Sequence, residues 1–257
     1  EWMAPTFFKQ VEGKLVKQSI TSLVSLKGWY RTITSGDFNG DGRVDFAFGN
    51  HGLNTRFKVS SEHPVSLFLN DLDQNGSIEQ IFTRRNQDVE IPYALKHELE
   101  KQVPSIKKKY IKYSDYNDQS LTDIFPKEIV DKSIRQEVNH LESGVLMNLG
   151  GGNFEWKSFP IEAQKTWVFA IQTLDLNQDG ILDLVLGGNL SQAKPEVGKY
   201  DAGFGEVLIG KGDGTFEFLP NRMHGLHLDG DIREFSVLGS NHLLVVKNNA
   251  AAEIWKF

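Results

Sequence analysis

Apolar and polar residues alternate along most of the chain in short runs, and each run closes on glycine, asparagine or aspartate. The stretches Gly28–Asp37 (GWYRTITSGD) and Thr166–Asp175 (TWVFAIQTLD) alternate with the two-residue period of a half-buried strand. Each leads into an acidic loop, and the loop leads into a second apolar run, VDFAFG from Val44 and LDLVLG from Leu182. A hairpin of a second kind spans Val145–Phe159 and Val207–Leu219, where Gly-Gly-Asn and Gly-Asp-Gly supply the positive φ of a tight turn. Phe7–Ile20 has the same shape around Glu12-Gly13, and Ile232–Phe257 continues the strand rhythm with Ser240 and Asn241 where carboxylates would stand.

These units repeat. Ser35–Asn50 (SGDFNGDGRVDFAFGN), Leu69–Phe82 (LNDLDQNGSIEQIF) and Thr173–Asn189 (TLDLNQDGILDLVLGGN) share the pattern D-x-[DN]-x-[DN]-G-x-x-[DE]. First hairpins beginning near Trp29, Pro64, Trp167 and Ile232 predict an all-β chain of about four four-stranded blades, a β-propeller. The amino-terminal hairpin is expected to complete the last blade and close the ring, since an open arc exposes strand edges; the alternative is an arc cut from a larger propeller. The chain thus reads as one propeller domain over 1–257 with a helical insertion at 93–141. Within the insertion, Leu95, Leu99 and Val103 fall at helical spacing, as do Val130, Ile134, Val138 and Leu141. Ser120 and Asp123 make a capping box, and Pro126 suits a helix start. Lys107, Lys108, Lys109 and Lys112 beside Tyr110 and Tyr113 read either as a solvated face on a packing helix or as a basic patch on a lid.

The acidic loops carry the candidate chemistry. Calcium takes six to eight hard oxygen ligands, and Asp, Asn and backbone carbonyls at alternate loop positions can wrap one ion. The first loop offers Asp37, Asn39, Asp41, the carbonyl of Arg43, and Asp45. The second offers Asp71, Asp73, Asn75, the carbonyl of Ser77, and Glu79. The third offers Asp175, Asn177, Asp179, the carbonyl of Ile181, and Asp183. Gly42, Gly76 and Gly180 allow the turn, and up to three calcium ions are expected, each stapling a first hairpin. An EF-hand is excluded, because its twelfth position needs a bidentate Glu and Phe48, Phe82 and Leu186 stand there. Magnesium is disfavoured because it keeps its waters.

Composition narrows the function classes. The 257 residues are 39% apolar and 24% charged, and 17 Phe and 24 Gly beside 3 Met favour strands and turns over a helix bundle. A net charge of −6 argues against a nucleic-acid binder; without the nine loop carboxylates it becomes +3, so the acidity reports the loops. The absence of cysteine excludes disulfides, thiolate metal sites and a cysteine nucleophile. No apolar run approaches the ~18 residues of a membrane helix. The chain opens at Glu1 rather than Met, which reads as a processed or excised segment.

The loops resemble the FG-GAP/VCBS calcium repeats. Gly28–Thr55, the run PVSLFLNDLDQNGSIE from Pro64 and GKYDAG (Gly198–Gly203) resemble bacterial ASPIC/UnbV-type VCBS proteins, relatives of cartilage acidic protein, over nearly the whole chain from Phe7. That resemblance implies a propeller, bound calcium and an extracytoplasmic home (secreted, periplasmic or cell-surface), with no established catalytic residue.

The expected function is therefore a calcium-binding recognition or scaffold module for a protein or glycan held on the loop-bearing face, with no nucleic acid and no membrane-spanning segment. The alternative is a carbohydrate-active enzyme, a glycosidase or lyase, for which Glu142, Glu162, Asp201 and Glu206 are ungrouped candidates. His224 and His227 form an H-x-x-H without an assignable third ligand, and Asn75 and Asn189 open formal glycosylation sequons.

Overall fold

The computed structural model describes residues 2–194 and 197–257, and the chain is mostly antiparallel sheet. In chain order the strands are β1 Phe8–Val11, β2 Lys14–Lys17, β3 Thr32–Gly36, β4 Asp45–Gly49, β5 Val65–Asn70, β6 Glu79–Asn86 and β7 Val89–Pro92. They continue as β8 Ile134–Val138, β9 Gly144–Gly150, β10 Asn153–Ser158, β11 Val168–Leu174, β12 Asp183–Gly188, β13 Glu206–Gly210 and β14 Phe216–Leu219. β15 Asp231–Leu238, β16 His242–Asn248 and β17 Glu253–Lys256 end the chain.

Among the described residues these strands form two four-stranded meanders, β3-β4-β9-β10 and β11-β12-β13-β14, and one three-stranded meander, β15-β16-β17. The β11 sheet lies in the middle. Its first face packs on the β3 sheet through Ala47, Val145, Val168, Leu184, Leu186 and Leu208. The other packs on the β15 sheet through Ala170, Val185, Val207, Ile232, Phe235 and Val245. Leu184 and Leu186 point one way and Val185 the other, which is why β12 reads as an unbroken apolar run rather than an alternation. The first strands β3, β11 and β15 lie side by side where the three sheets meet.

Three expectations change. The hairpin Val145–Phe159 completes the sheet of the first acidic loop, not the second: β4 pairs with β9, and the whole β5 sheet is inserted between them. That inserted sheet has the order β7-β6-β5-β8, so β5 is internal where β3, β11 and β15 are edges. Second, β1 and β2 pair only with each other. Phe7 and the segment after β2 instead cover the outer face of the β3 sheet against Phe46, Phe48, Leu146, Phe154 and Trp156, leaving the last sheet with three strands. Third, the insertion is helical only in its first part. Helices α1 Lys96–Gln102, α2 Ile106–Lys109, α3 Tyr113–Tyr116, α4 Leu121–Ile124 and α5 Lys127–Val130 are short. Ile134 and Val138 stand in strand β8, paired with β5. A spacing of four fits both periods, because an even step keeps a strand residue on one face.

The helices are a packing layer rather than a lid. Leu99, Val103, Ile106, Leu121, Ile124 and Val130 form one core with Phe68, Leu72 and Ile81 of the β5 sheet. The Ser120–Asp123 capping box is present, with Ser120 Oγ accepting from the Asp123 N–H at 3.2 Å. Pro126 caps α5 from just outside it. The lysine cluster disperses: Lys109 donates to the carbonyls of Asp123 and Ile124, Tyr110 is buried, and Lys107 and Lys108 face solvent.

Candidate metal centre

Loops one and three cap adjacent sheets at the ends of β3 and β11, and loop two caps the end of β5. All three share one backbone. The sixth position is left-handed, with φ +79° at Gly42, +89° at Gly76 and +84° at Gly180. So is the fourth, with φ +71° at Gly40, +58° at Gln74 and +62° at Gln178. The first aspartate caps the two N–H groups that this reversal turns inward. Asp37 accepts from Asp41 and Gly42 at 3.1 and 2.8 Å, Asp71 from Asn75 and Gly76 at 2.9 Å each, and Asp175 from Asp179 and Gly180 at 3.1 and 3.0 Å. The fifth side chain then accepts from the seventh N–H, so the carbonyls of Arg43, Ser77 and Ile181 belong to a turn already fixed by side chains.

The ninth carboxylate returns to the second residue's N–H in every loop: Asp45 to Phe38 at 3.1 Å, Glu79 to Leu72 at 2.7 Å, Asp183 to Leu176 at 2.8 Å. In loops one and three its other oxygen accepts from the neighbouring strand, Asn148 at 2.7 Å and Gly210 at 2.9 Å. Both Asp45 and Asp183 are fully buried, and burial pushes the Asp183 carboxyl above the usual range despite these N–H partners. Loop two has no such neighbour, because β7 pairs with β6 only over Thr83–Asn86 and leaves the Glu79 end to α1.

The third residue separates the loops further. Asn39 and Asn177 donate to Asp41 and Asp179 at 2.7 and 2.8 Å. Arg43 also pairs with Asp41. Asp73 of loop two cannot donate, and its Oδ1 is buried without a hydrogen-bond partner. Carboxylate oxygens of Asp71, Asp73 and Glu79 lie within 4.8 Å of one another, the one such group of three among the described residues. The three carboxylates of loop one and the three of loop three are not gathered in this way. A hard, all-oxygen set with an unpartnered buried oxygen fits a hard divalent cation and no soft one.

Of the remaining candidate acids, Glu142 and Glu206 each have their own partner. Glu142 accepts from Ser158 Oγ at 2.7 Å, and Glu206 accepts from the Phe204 N–H at 3.2 Å; no two of Glu142, Glu162, Asp201 and Glu206 share a hydrogen bond. His224 Nδ1 accepts from the Leu226 N–H, and His227 stacks on Phe204 beside Asp229. Asn189 is buried and its amide donates to the carbonyls of Gly203 and Gly230, so that sequon is closed to modification in the fold.

Two buried staples were not singled out from the sequence. Asn50 and Asn189 follow the glycines that end β4 and β12; Asn50 accepts from the Trp29 and His51 N–H groups and donates to the carbonyls of His140 and Glu142. Their signal is the shared Gly-Asn at the end of two repeats. No protein-family model matches the chain, and no curated protein matches it.

Proposed function

We propose that this chain is a calcium-stapled arc of propeller-type blades that serves as an extracytoplasmic recognition or scaffold module for a protein or glycan. The observation that carries the metal reading is the unpartnered, buried Asp73 Oδ1 facing the Asp71 and Glu79 carboxylates inside a backbone turn repeated three times. Calcium, when bound, supplies a cross-link between the strand before each loop and the strand after it. The residues that would hold it are those at loop positions one, three, five, seven and nine; loop two already gathers its three carboxylates, and loops one and three would have to release the Asn39–Asp41 and Asn177–Asp179 side-chain hydrogen bonds. The propeller reading is supported by three meander sheets packed face to face with their first strands adjacent. The recognition reading rests on the resemblance of the loops to VCBS repeats.

The test is thermal unfolding in EDTA and in excess calcium, with bound metal counted on the same samples. Calcium is expected to raise the transition reversibly, magnesium at equal concentration to do less, and Asp71→Ala to lose one ion. An unchanged transition after verified metal removal and return would overturn the calcium reading. A binding screen over glycans and proteins tests recognition separately.

A further inference from the structure

A cavity of about 800 Å³ opens between the β5 sheet and helices α1 and α3. A second, of about 600 Å³, shares Arg56, Tyr93 and Ala94 with it, so the two form one cleft with Arg56 at the junction. Arg56, Lys58, Arg84, Arg85 and Lys96 line the larger part, and Asp118 is its one carboxylate. In a chain of net charge −6 this is a local reversal of sign.

The cations are not all spent on partners. Lys96 is buried and pairs with Glu100. Arg84 and Arg85 reach Asp118 and Asp88 only at 3.8 Å, through exposed side chains whose attraction water screens. Among the described residues, Arg56 and Lys58 meet no carboxylate within 4.0 Å. Arg56 is instead laid against aromatic faces, 5.2 Å from the Phe57 ring centre and 5.4 Å from that of Tyr93. Such aromatic contact positions the guanidinium, and among the described residues no carboxylate takes up its N–H fork, which suits a carboxylate or sulfate.

We propose that this cleft binds an acidic oligosaccharide, a chain whose sugar rings carry carboxylate or sulfate groups; the inference rests on the recognition reading above and names its ligand class. The aromatic wall of Tyr93, Tyr113 and Tyr116 suits the apolar faces of sugar rings, and the cations suit their acidic substituents. An acidic peptide is the less suited occupant. The natural mode for a peptide is to add to the free edge of β7, and that edge carries Pro92, which has no N–H to offer.

The experiment is calorimetric titration of the full chain in calcium with four probes: a hyaluronan octasaccharide, a chondroitin sulfate fragment, a neutral chitin oligosaccharide and polyglutamate. Either acidic fragment is expected to bind, with affinity falling as salt rises, and the neutral sugar and polyglutamate to bind about tenfold more weakly or not at all. Arg56→Ala is expected to weaken binding about tenfold. Because Arg56 also packs on aromatics, Lys58→Glu, an exposed position, is the second variant; it is expected to weaken binding without moving the unfolding temperature. Equal affinity for polyglutamate, binding that neither variant changes, or no binding by either acidic fragment would overturn the proposal. Capture of the neutral sugar alone overturns the acidic assignment and leaves glycan recognition standing, and the calcium shift of the unfolding temperature is read independently on the same protein.

Discussion

Loops one and three and loop two obey the same nine-residue pattern, yet they use their last carboxylate in opposite ways. Asp45 and Asp183 have both oxygens tied to backbone N–H groups, one inside the loop and one on the third strand of the sheet. They hold the hairpin whether or not an ion is present. Glu79 ties one oxygen to Leu72, and its carboxylate lies beside those of Asp71 and Asp73. The difference is one methylene and one neighbouring strand: β9 and β13 run alongside the first and third loops, whereas β7 stops short of the second. A shared motif therefore fixes a shared turn, while the surrounding sheet decides whether its last carboxylate has both oxygens capped by backbone N–H groups or gathers with the other acids of its loop.

The comparison is broken most directly by removing the ninth acid in the absence of metal. Asp45→Ala or Asp183→Ala leaves two N–H groups unpartnered, one buried and one partly buried, and each is expected to cost about 2–4 kcal/mol in urea unfolding with EDTA present. Glu79→Ala leaves one, and is expected to cost about 1–2 kcal/mol under the same conditions. In calcium the ranking should compress if loop two, whose three carboxylates are already gathered, is the loop that takes up the ion. Equal losses for all three variants in EDTA would remove the distinction.

The same contrast marks what a reader of the sequence alone can reach. The three loops, the hairpin turns at Glu12-Gly13 and Gly151-Gly152, and the Ser120 capping box are local, and local chemistry is written in adjacent residues. Which hairpin joins which is not. Val145–Phe159 pairs with β4 across the whole inserted β5 sheet, and nothing in either segment names the other as partner. Ile134 and Val138 show a subtler limit, where helical and strand periods coincide until burial against β5 decides. The site was legible as a ligand set but not as an ordering of loops. The acid at position three, Asp73, and the longer arm at Glu79 are visible in the sequence; the missing neighbouring strand beside them is not. The basic cleft was invisible for the same reason, since Arg56, Arg84 and Lys96 are brought together only by the tertiary fold.

A third kind of buried acid sharpens the rule that backbone caps, not burial alone, govern these carboxylates. Glu206 in β13 is nearly as buried as Asp183 but accepts from one local N–H, that of Phe204. Burial pushes its carboxyl up to about 7, with Lys165 pulling weakly the other way. The folded state thus holds the proton more tightly than the unfolded chain does. Stability from this group is full below the unfolded value and falls as pH rises towards 7, by about 3 kcal/mol in all, levelling off above. Glu206→Gln is expected to flatten that slope between pH 5 and 7 and to leave the protein more stable than the parent at pH 8, measured by unfolding across pH. A slope that survives the substitution would assign it to other groups.

The smallest effect concerns the backbone that all three loops share. No atom would crowd a side chain at Gly40 or Gly42, so any cost of substitution there is conformational alone. The fourth position lies at φ +58° to +71°, inside the left-handed basin that side chains reach, and Gln74 and Gln178 already occupy it. The sixth lies at +79° to +89°, beyond that basin, and is glycine in every loop. Gly40→Gln is accordingly expected to change stability by less than about 1 kcal/mol, since the residue's own strain is offset by a less flexible unfolded chain. Gly42→Gln should cost about 2 kcal/mol, and should cost more in calcium than in EDTA if the sixth position holds the turn in its ligating form. Equal costs at the two positions would mean that the loop relaxes as a whole and that its shared dihedrals carry no specific demand.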